Sequence, residues 1–250
     1  NNLTSIDQTT DTCTNNFCTL NPLINTGAVY SDGNCRLVSG QDNQFMWGTM
    51  ATSMNNSNAG WYYEVKVEHT PNVSNGYGIR AGCGSIDFAN SQSGGMGTVG
   101  GFGLSNDTAK LIQNNASVYQ LSQNGGANSI NSSISTANGH IINVAWKNGK
   151  TFYGVNGVYV ANDGGSDGNP SSDTNQSYDI DSSVQGDFWN PILASSGSAP
   201  TFSATVGVNF GNPPFSISSG NTDANGYGNF SYAPPTGFYA ICSKNLAEYG

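Results

Sequence analysis

GHIINVAWKNGKTFYGVNGVYV, residues 139–160, decides how the rest of the chain is read. Residues 141–146 are rich in β-branched and aromatic side chains, which suit a pleated, half-buried surface. Lys147-Asn148-Gly149-Lys150 places Asn-Gly at the centre of a two-residue turn. A type I′ turn needs positive φ at both central positions, and Asn followed by Gly meets that need at least steric cost. Residues 151–155 form the returning strand, and Asn156-Gly157 repeats the turn before Val158-Tyr159-Val160. Three strands alone bury too little apolar surface to be stable, so the rest of the chain must supply a facing sheet.

Working outward, the clearest single strand is Gly60-Trp61-Tyr62-Tyr63-Glu64-Val65-Lys66-Val67-Glu68. Trp61, Tyr63, Val65 and Val67 fall on one face, and Tyr62, Glu64, Lys66 and Glu68 on the other. That is the period of a strand with one dry side and one wet side. Residues 29–37 read as a hairpin turning at Asp32-Gly33, and residues 44–52 as a further strand with Phe45 and Trp47 on one face. Short apolar segments at 111–112, 118–119 and 130–134 are weaker strand signals. Residues 188–194 and 204–211 read as buried strands, and residues 162–177 as a long exposed loop. Residues 94–103 are glycine-rich but lack the Gly-Lys-Ser/Thr ending of a phosphate loop, and no helical pattern follows them, so turns and bulges account for them. The many short strands and regular turn signals predict an all-β, two-sheet antiparallel β-sandwich of jelly-roll type with little or no helix. Residues 1–23 are expected to be an extended N-terminal arm, and residues 24–250 a single domain.

Composition narrows the functions. Only 9% of the 250 residues are charged, so solubility rests on Asn, Ser, Thr and Gly. Seven basic against 16 acidic residues give a net charge of −9. No basic stripe is present for nucleic acid, and attraction to an anionic membrane is disfavoured. No apolar run approaches the length of a transmembrane helix. The chain begins at Asn1 without an initiator Met or a visible signal peptide, which reads as a processed product or a piece of something longer. Five cysteines make an incomplete disulfide framework. The spacing of Cys13 and Cys18 leaves a disulfide across a loop open, beside buried free thiols.

The sequence carries no recognisable catalytic set. His69 and His140, the only histidines, fall at strand ends that read as solvated, and no Gly-x-Ser-x-Gly elbow occurs. Glu64 and Glu68 lie on one strand face roughly 13 Å apart at strand rise, too far for a glycosidase pair. Asp163, Asp167 and Asp173 alternate with small residues somewhat as in a calcium loop, without its closing bidentate Glu, so a weak Ca²⁺ site stands beside a plain acidic turn. No other cofactor is implied.

A family pattern emerges at specific residues. Gly60-Trp61-Tyr62-Tyr63-Glu64-Val65 resembles the G-K-W-Y-W-E-V strand of SPRY-type domains. Ile142-Asn143-Val144-Ala145-Trp146 with Phe152-Tyr153-Gly154-Val155-Asn156-Gly157-Val158 is similar to that family's I-G-V-A-x-D and F-Y-K-N-G-V strands, and residues 188–194 stand where the family has Y-P-A-V. Val208-Asn209-Phe210-Gly211 with Pro214-Phe215, then Tyr232-Ala233-Pro234-Pro235-Thr236-Gly237-Phe238, resembles the closing segment of SPRY-like domains in bacteriophage virion and tail-fibre proteins. Thr14-Asn15-Asn16-Phe17-Cys18-Thr19-Leu20-Asn21-Pro22-Leu23 is similar to the lead-in of such proteins. The resemblance implies a concanavalin A-like antiparallel sandwich used for binding rather than chemistry.

The expected function is therefore that of a non-enzymatic virion surface protein: a tail fibre, appendage or capsid decoration domain in host attachment or particle stabilisation. A lectin-like carbohydrate-binding module and a glycan-degrading depolymerase are the alternatives. Expected partners are other virion proteins, copies of itself in a homo-oligomer, and a host-surface glycan or protein. Ligand contacts are expected on loops at one end of the sandwich, with Asp87, Phe88, Tyr119, Asp163, Asp167 and Asp173 as candidates. Tyr62, Tyr119 and Tyr159 are expected to be exposed aromatics that could stack on sugars. Trp61, Tyr63, Val65, Trp146, Phe152, Phe210, Phe215 and Phe238 are the expected core.

Overall fold

The computed structural model describes residues 11–23, 28–39, 45–69, 78–85, 109–115, 118–123, 128–180, 188–196 and 204–250. The opening stretch folds as read: β10 (Ile141–Lys147), β11 (Lys150–Val155) and β12 (Val158–Val160) form an antiparallel meander. Both turns carry positive φ at each central residue, +51° and +72° at Asn148-Gly149 and +52° and +81° at Asn156-Gly157.

On its other side β10 pairs with β5 (Gly60–His69), opposing Trp146 to Trp61 and Val144 to Tyr63. The hairpin of β1 (Ala28–Ser31) and β2 (Arg36–Ser39) reaches β5 through β15 (Ala204–Asn209). Two short strands complete this sheet: β13 (Tyr178–Asp179) on β11, and β16 (Phe238–Ala240), parallel to β5. The described residues thus form nine strands in the first sheet.

The second sheet has seven. Its centre is β14 (Phe188–Ser196) paired with β6 (Gly78–Ser85). Beyond β6 follow β7 (Ala109–Asn115), β8 (Val118–Gln123) and β9 (Asn128–Ser135). The far edge of β14 is covered in two pieces, β3 (Phe45–Trp47) against residues 192–194 and β4 (Thr52–Ser53) against residues 188–189. Pro191 falls in the break between them, where the missing ladder donor costs nothing on that edge. One short helix, α1 (Ser243–Tyr249), is present among the described residues.

Trp61, Tyr63, Val65, Trp146 and Phe210 are buried between the two sheets with Ile79, Cys83, Tyr119, Trp189 and Leu193. Two of the large aromatics, Trp146 and Tyr63, pair their polar tips across the gap. Trp146 Nε1 donates to Thr52 Oγ1 at 3.0 Å, and the Tyr63 hydroxyl donates to Gly82 O at 2.6 Å. Leaving such a tip unpaired in the core would cost about 1–3 kcal/mol.

The outer face of the first sheet departs from the sequence reading. Tyr62 and Glu64, expected on a wet face, are fully buried. Tyr62, Ala145 and Phe152 point outward from β5, β10 and β11 and are covered by Phe17, Phe230, Phe238, Ala240 and Cys242. The arm and the C-terminal segment therefore build a third layer. Phe238 lies so close to the Cα of Gly60 that any side chain there would strike its ring. Phe215 belongs to the same outer side, half-buried, with its ring against Gly207 and the Lys66 ammonium 5.0 Å from its centroid.

The arm is held by main-chain bonds to distant segments. Cys18 N–H donates to Ile241 O at 2.9 Å, Leu20 N–H to Asn34 O at 3.1 Å, and Ser243 N–H to Asn16 O at 2.9 Å. All five cysteines are free thiols, so Cys13 and Cys18 do not pair; Cys13 is exposed and the other four are buried.

Candidate functional site

The loop leaving β12 carries three of the residues singled out in the sequence. It is compact because nearly every turn is closed by a bond of its own. Ala161 N–H donates to Gly165 O and Gly168 N–H to Tyr159 O, while Asn169 and Thr174 exchange main-chain bonds at 2.9 and 3.1 Å. Asn169 Oδ1 accepts from Ser172 N–H and caps a 3₁₀ turn at Pro170–Ser172. The Ser177 hydroxyl ties the loop's end to Val160 O at 2.6 Å.

Asp163 and Asp167 come together. Asp163 Oδ1 accepts from Gly165 N–H at 2.8 Å, and Asp167 Oδ2 accepts from Asn175 Nδ2 at 2.9 Å. A side-chain carbon on Gly165 would meet Asp167 Oδ1 at 2.8 Å and Asp163 Oδ1 at 3.0 Å, so both carboxylates face the same glycine. Asp173 is engaged elsewhere: its carboxylate lies 3.3 Å from Lys150 Nζ and accepts from Asn148 Nδ2 at 3.3 Å. Lys150 Nζ also donates to Asp173 O at 2.8 Å. Among the described residues no three His, Cys, Asp or Glu side chains gather as a metal site: Asp163 and Asp167 lie together, and Asp173 is turned to Lys150. The exposed face of the loop is a fixed array of carboxylates, amides and hydroxyls, including Asp163, Ser166, Asp167, Asn169 and Asn175.

Sequence reasoning missed Asn148, Lys150 and Asn175 as parts of this surface. The local signal for the first was its Asn-Gly turn, which projects Asn148 beside Asp173. Asp87 and Phe88, and the glycine-rich residues 94–103, lie outside the described residues. Tyr119 is not a surface aromatic: it is fully buried in the inter-sheet core, stacked on the His140 ring at 5.9 Å between centroids. Burial pushes its phenol well above the usual range. His140 is half-buried and His69 exposed. Of the other aromatics expected to stack on sugars, Tyr62 is buried and Tyr159 half-buried.

Two buried acids, Glu64 and Asp223, are each enclosed by hydrogen-bond donors. Glu64 Oε1 accepts from the Tyr62 hydroxyl at 2.9 Å and from Tyr232 N–H at 2.8 Å; Oε2 accepts from Asn209 Nδ2 at 3.0 Å and Ser231 N–H at 2.9 Å. Burial pushes its carboxyl up, and these four donors pull it back part of the way. Fully buried, Glu64 clamps the C-terminal segment to β5. Asp223 ties parts of the C-terminal segment to one another, accepting from Asn225 N–H, Tyr227 N–H, Ala240 N–H and Asn245 Nδ2 at 2.8–3.0 Å.

The strand pairing defines the class of protein as a two-sheet antiparallel β-sandwich. No protein-family model and no curated sequence matches the chain. Solved structures similar to it include the SPRY domain of human HERC1, at 11% identity and TM-score 0.45, the match covering 76% of this chain and 96% of that one. The PSpry domain of TRIM65 is similar at 10% identity and TM-score 0.45, over 77% of this chain and 90% of that one. A galectin-like protein of unknown function from Bacillus subtilis matches at 12% identity and TM-score 0.41, over 77% and 96%. No helix among the described residues is long and apolar enough to cross a membrane.

Proposed function

We propose that this chain is a non-enzymatic recognition module displayed on a virus particle, as a tail-fibre, appendage or capsid decoration domain, and that it acts by binding host-surface glycan. The observation that carries the binding reading is the loop at residues 161–177. Its polar groups are held in place by the loop's own hydrogen bonds, so little ordering entropy is lost when a hydroxyl-rich ligand docks. The low charge supports the same reading, because amides and hydroxyls serve neutral ligands without electrostatic adhesion to everything else. The virion setting is supported by the resemblance of the closing segment, whose Asn209 and Phe238 anchor the outer layer.

Two consequences follow, one for assembly and one for ligand access. Leu23 and Val29, 90% and 69% exposed, are covered when several copies associate symmetrically. The ligand reaches the loop without entering the sandwich, since the inter-sheet space is filled by side chains. The test is retention on a glycan array of the wild-type chain against Asn169→Ala and Asn175→Ala. The reading expects retention on a defined set of glycans that both substitutions reduce; equal retention by all three proteins refutes the loop as the binding surface.

A further inference from the structure

The N-terminal arm and the C-terminal segment leave a groove of about 340 Å³ between them, lined by Thr12, Thr14 and Phe17 on one side and Tyr227, Gly228 and Lys244 on the other. That volume is at the small end for ligand pockets and holds about one sugar ring. Both walls carry hydrogen bonds of their own. Thr12 and Asn15 exchange main-chain bonds at 2.9 and 3.2 Å, and Phe17, 6% exposed, donates its N–H to Asp11 Oδ1 at 2.8 Å. Opposite, Tyr227 N–H is fixed by the buried Asp223 carboxylate at 2.9 Å. The walls are joined where Lys244 N–H donates to Asn15 Oδ1 at 3.2 Å.

The Lys244 ammonium lies 5.4 Å from the centre of the Tyr227 ring. Among the described residues it has no carboxylate within 4.0 Å; Lys66 and Lys147 likewise lie over rings, those of Phe215 and Phe238, but of the three only Lys244 lines the groove. At this groove the Lys244 charge is open to an incoming anion, with no acid beside it to neutralise it. Across the groove the exposed Thr12 and Thr14 hydroxyls are paired with each other at 3.2 Å, so one of them donates within the pair and the other still offers a proton. A single ammonium facing two hydroxyls suits a monoanion that carries hydroxyls of its own; a phosphate dianion is better met by a forked arginine or several cations.

We propose that this groove binds the carboxylate-bearing ring of an acidic saccharide, with Lys244 on the carboxylate and Thr12 and Thr14 on the sugar hydroxyls. This rests on the reading of the chain as a glycan-binding module but not on the loop at residues 161–177. The overall negative charge does not bar such a ligand, because at physiological salt it is screened beyond about 8 Å.

The test is an NMR titration of the full chain with methyl β-glucuronide, and in parallel with methyl β-glucoside and inorganic phosphate. The expected result is saturable shifts at the Thr12 and Thr14 amides and the Tyr227 ring with the glucuronide, and binding about tenfold weaker for the uncharged glucoside. Lys244→Gln, an exposed substitution that leaves the fold in place, loses the glucuronide by a similar factor, and Lys244→Arg keeps it. Asn169→Ala leaves this titration unchanged even if it abolishes glycan-array retention, which separates this site from the loop. Equal binding of the two glycosides, equal binding of phosphate, shifts confined to other residues, or an unaffected Lys244→Gln would each overturn the proposal.

Discussion

Replacing Glu64 by Gln tests how the outer layer is held. The carboxylate faces four donors and no acceptor: the Tyr62 hydroxyl, Asn209 Nδ2, and the N–H groups of Ser231 and Tyr232. Gln offers one acceptor oxygen, and its amide meets two of those donors with donors of its own. The orphaned pair costs about 1–3 kcal/mol for each group, partly offset because a buried charge is removed. A net loss of about 3 kcal/mol is expected, which for a chain of this size lowers Tm by roughly 6–12 °C. The assay is thermal melting, with hydrogen exchange read at Ser231 and Tyr232, which bond different carboxylate oxygens, so that one of the two amides loses its acceptor and its protection first. The pH dependence has a fixed sign. Burial raises the folded-state carboxyl above its ordinary value, so the fold holds the proton more tightly than the unfolded chain. The contribution of Glu64 to stability is therefore greatest below the ordinary glutamate range, falls as pH rises through the raised folded value, and is flat above it. The Gln variant lacks that component. A variant that melts with the wild type, or that keeps Ser231 and Tyr232 protected, refutes the clamp.

Three further predictions use the same layers. Asp223→Asn orphans two of the four donors on that carboxylate and should cost about 2–4 kcal/mol, measured by denaturant unfolding with an unchanged slope. Gly157→Ala, at φ +81° with the new carbon 2.8 Å from the Tyr232 ring, should cost roughly 1–3 kcal/mol, whereas a neutral result would mean that this turn is not held against the C-terminal segment. In a thiol-labelling assay at neutral pH, Cys13 should react at once and the four buried cysteines only on unfolding; burial lifts the thiols of Cys18 to about 11 and Cys35 to about 12. Prompt labelling of two or more thiols would contradict the packing of the arm.

The strands at the centre were legible because period-two alternation and Asn-Gly turns are local signals. Trp61, Tyr63, Val65 and Trp146 point where their alternation puts them, and the two turns adopt the φ values their residues favour. The outer layer was hidden because Tyr62, Glu64 and Lys66 alternate like a solvated face. What covers Tyr62 and Glu64 arrives from Phe17 of the arm and from residues 230–242, the latter more than 160 positions away, and no local pattern announces it. One signal was present: Trp61-Tyr62-Tyr63 puts large aromatics on both faces of one strand, which a sheet wet on one side rarely needs. In the loop the aspartates were visible but their partners were not. The spacing of Asp163, Asp167 and Asp173 suggested one ion site, yet Lys150, brought alongside by the meander and 23 residues earlier in sequence, draws Asp173 away. Tyr119 was misread because its strand is short and polar, and alternation over so few residues does not say which face meets the core.

The central claim is that this sandwich binds glycan without cleaving it. The most direct measurement is to incubate the purified chain with each glycan it retains on an array and to quantify new reducing and unsaturated ends over time, with reversible binding followed in parallel. The account predicts saturable, reversible binding and no new ends above the protein-free control; release of glycan products in step with protein concentration would contradict it.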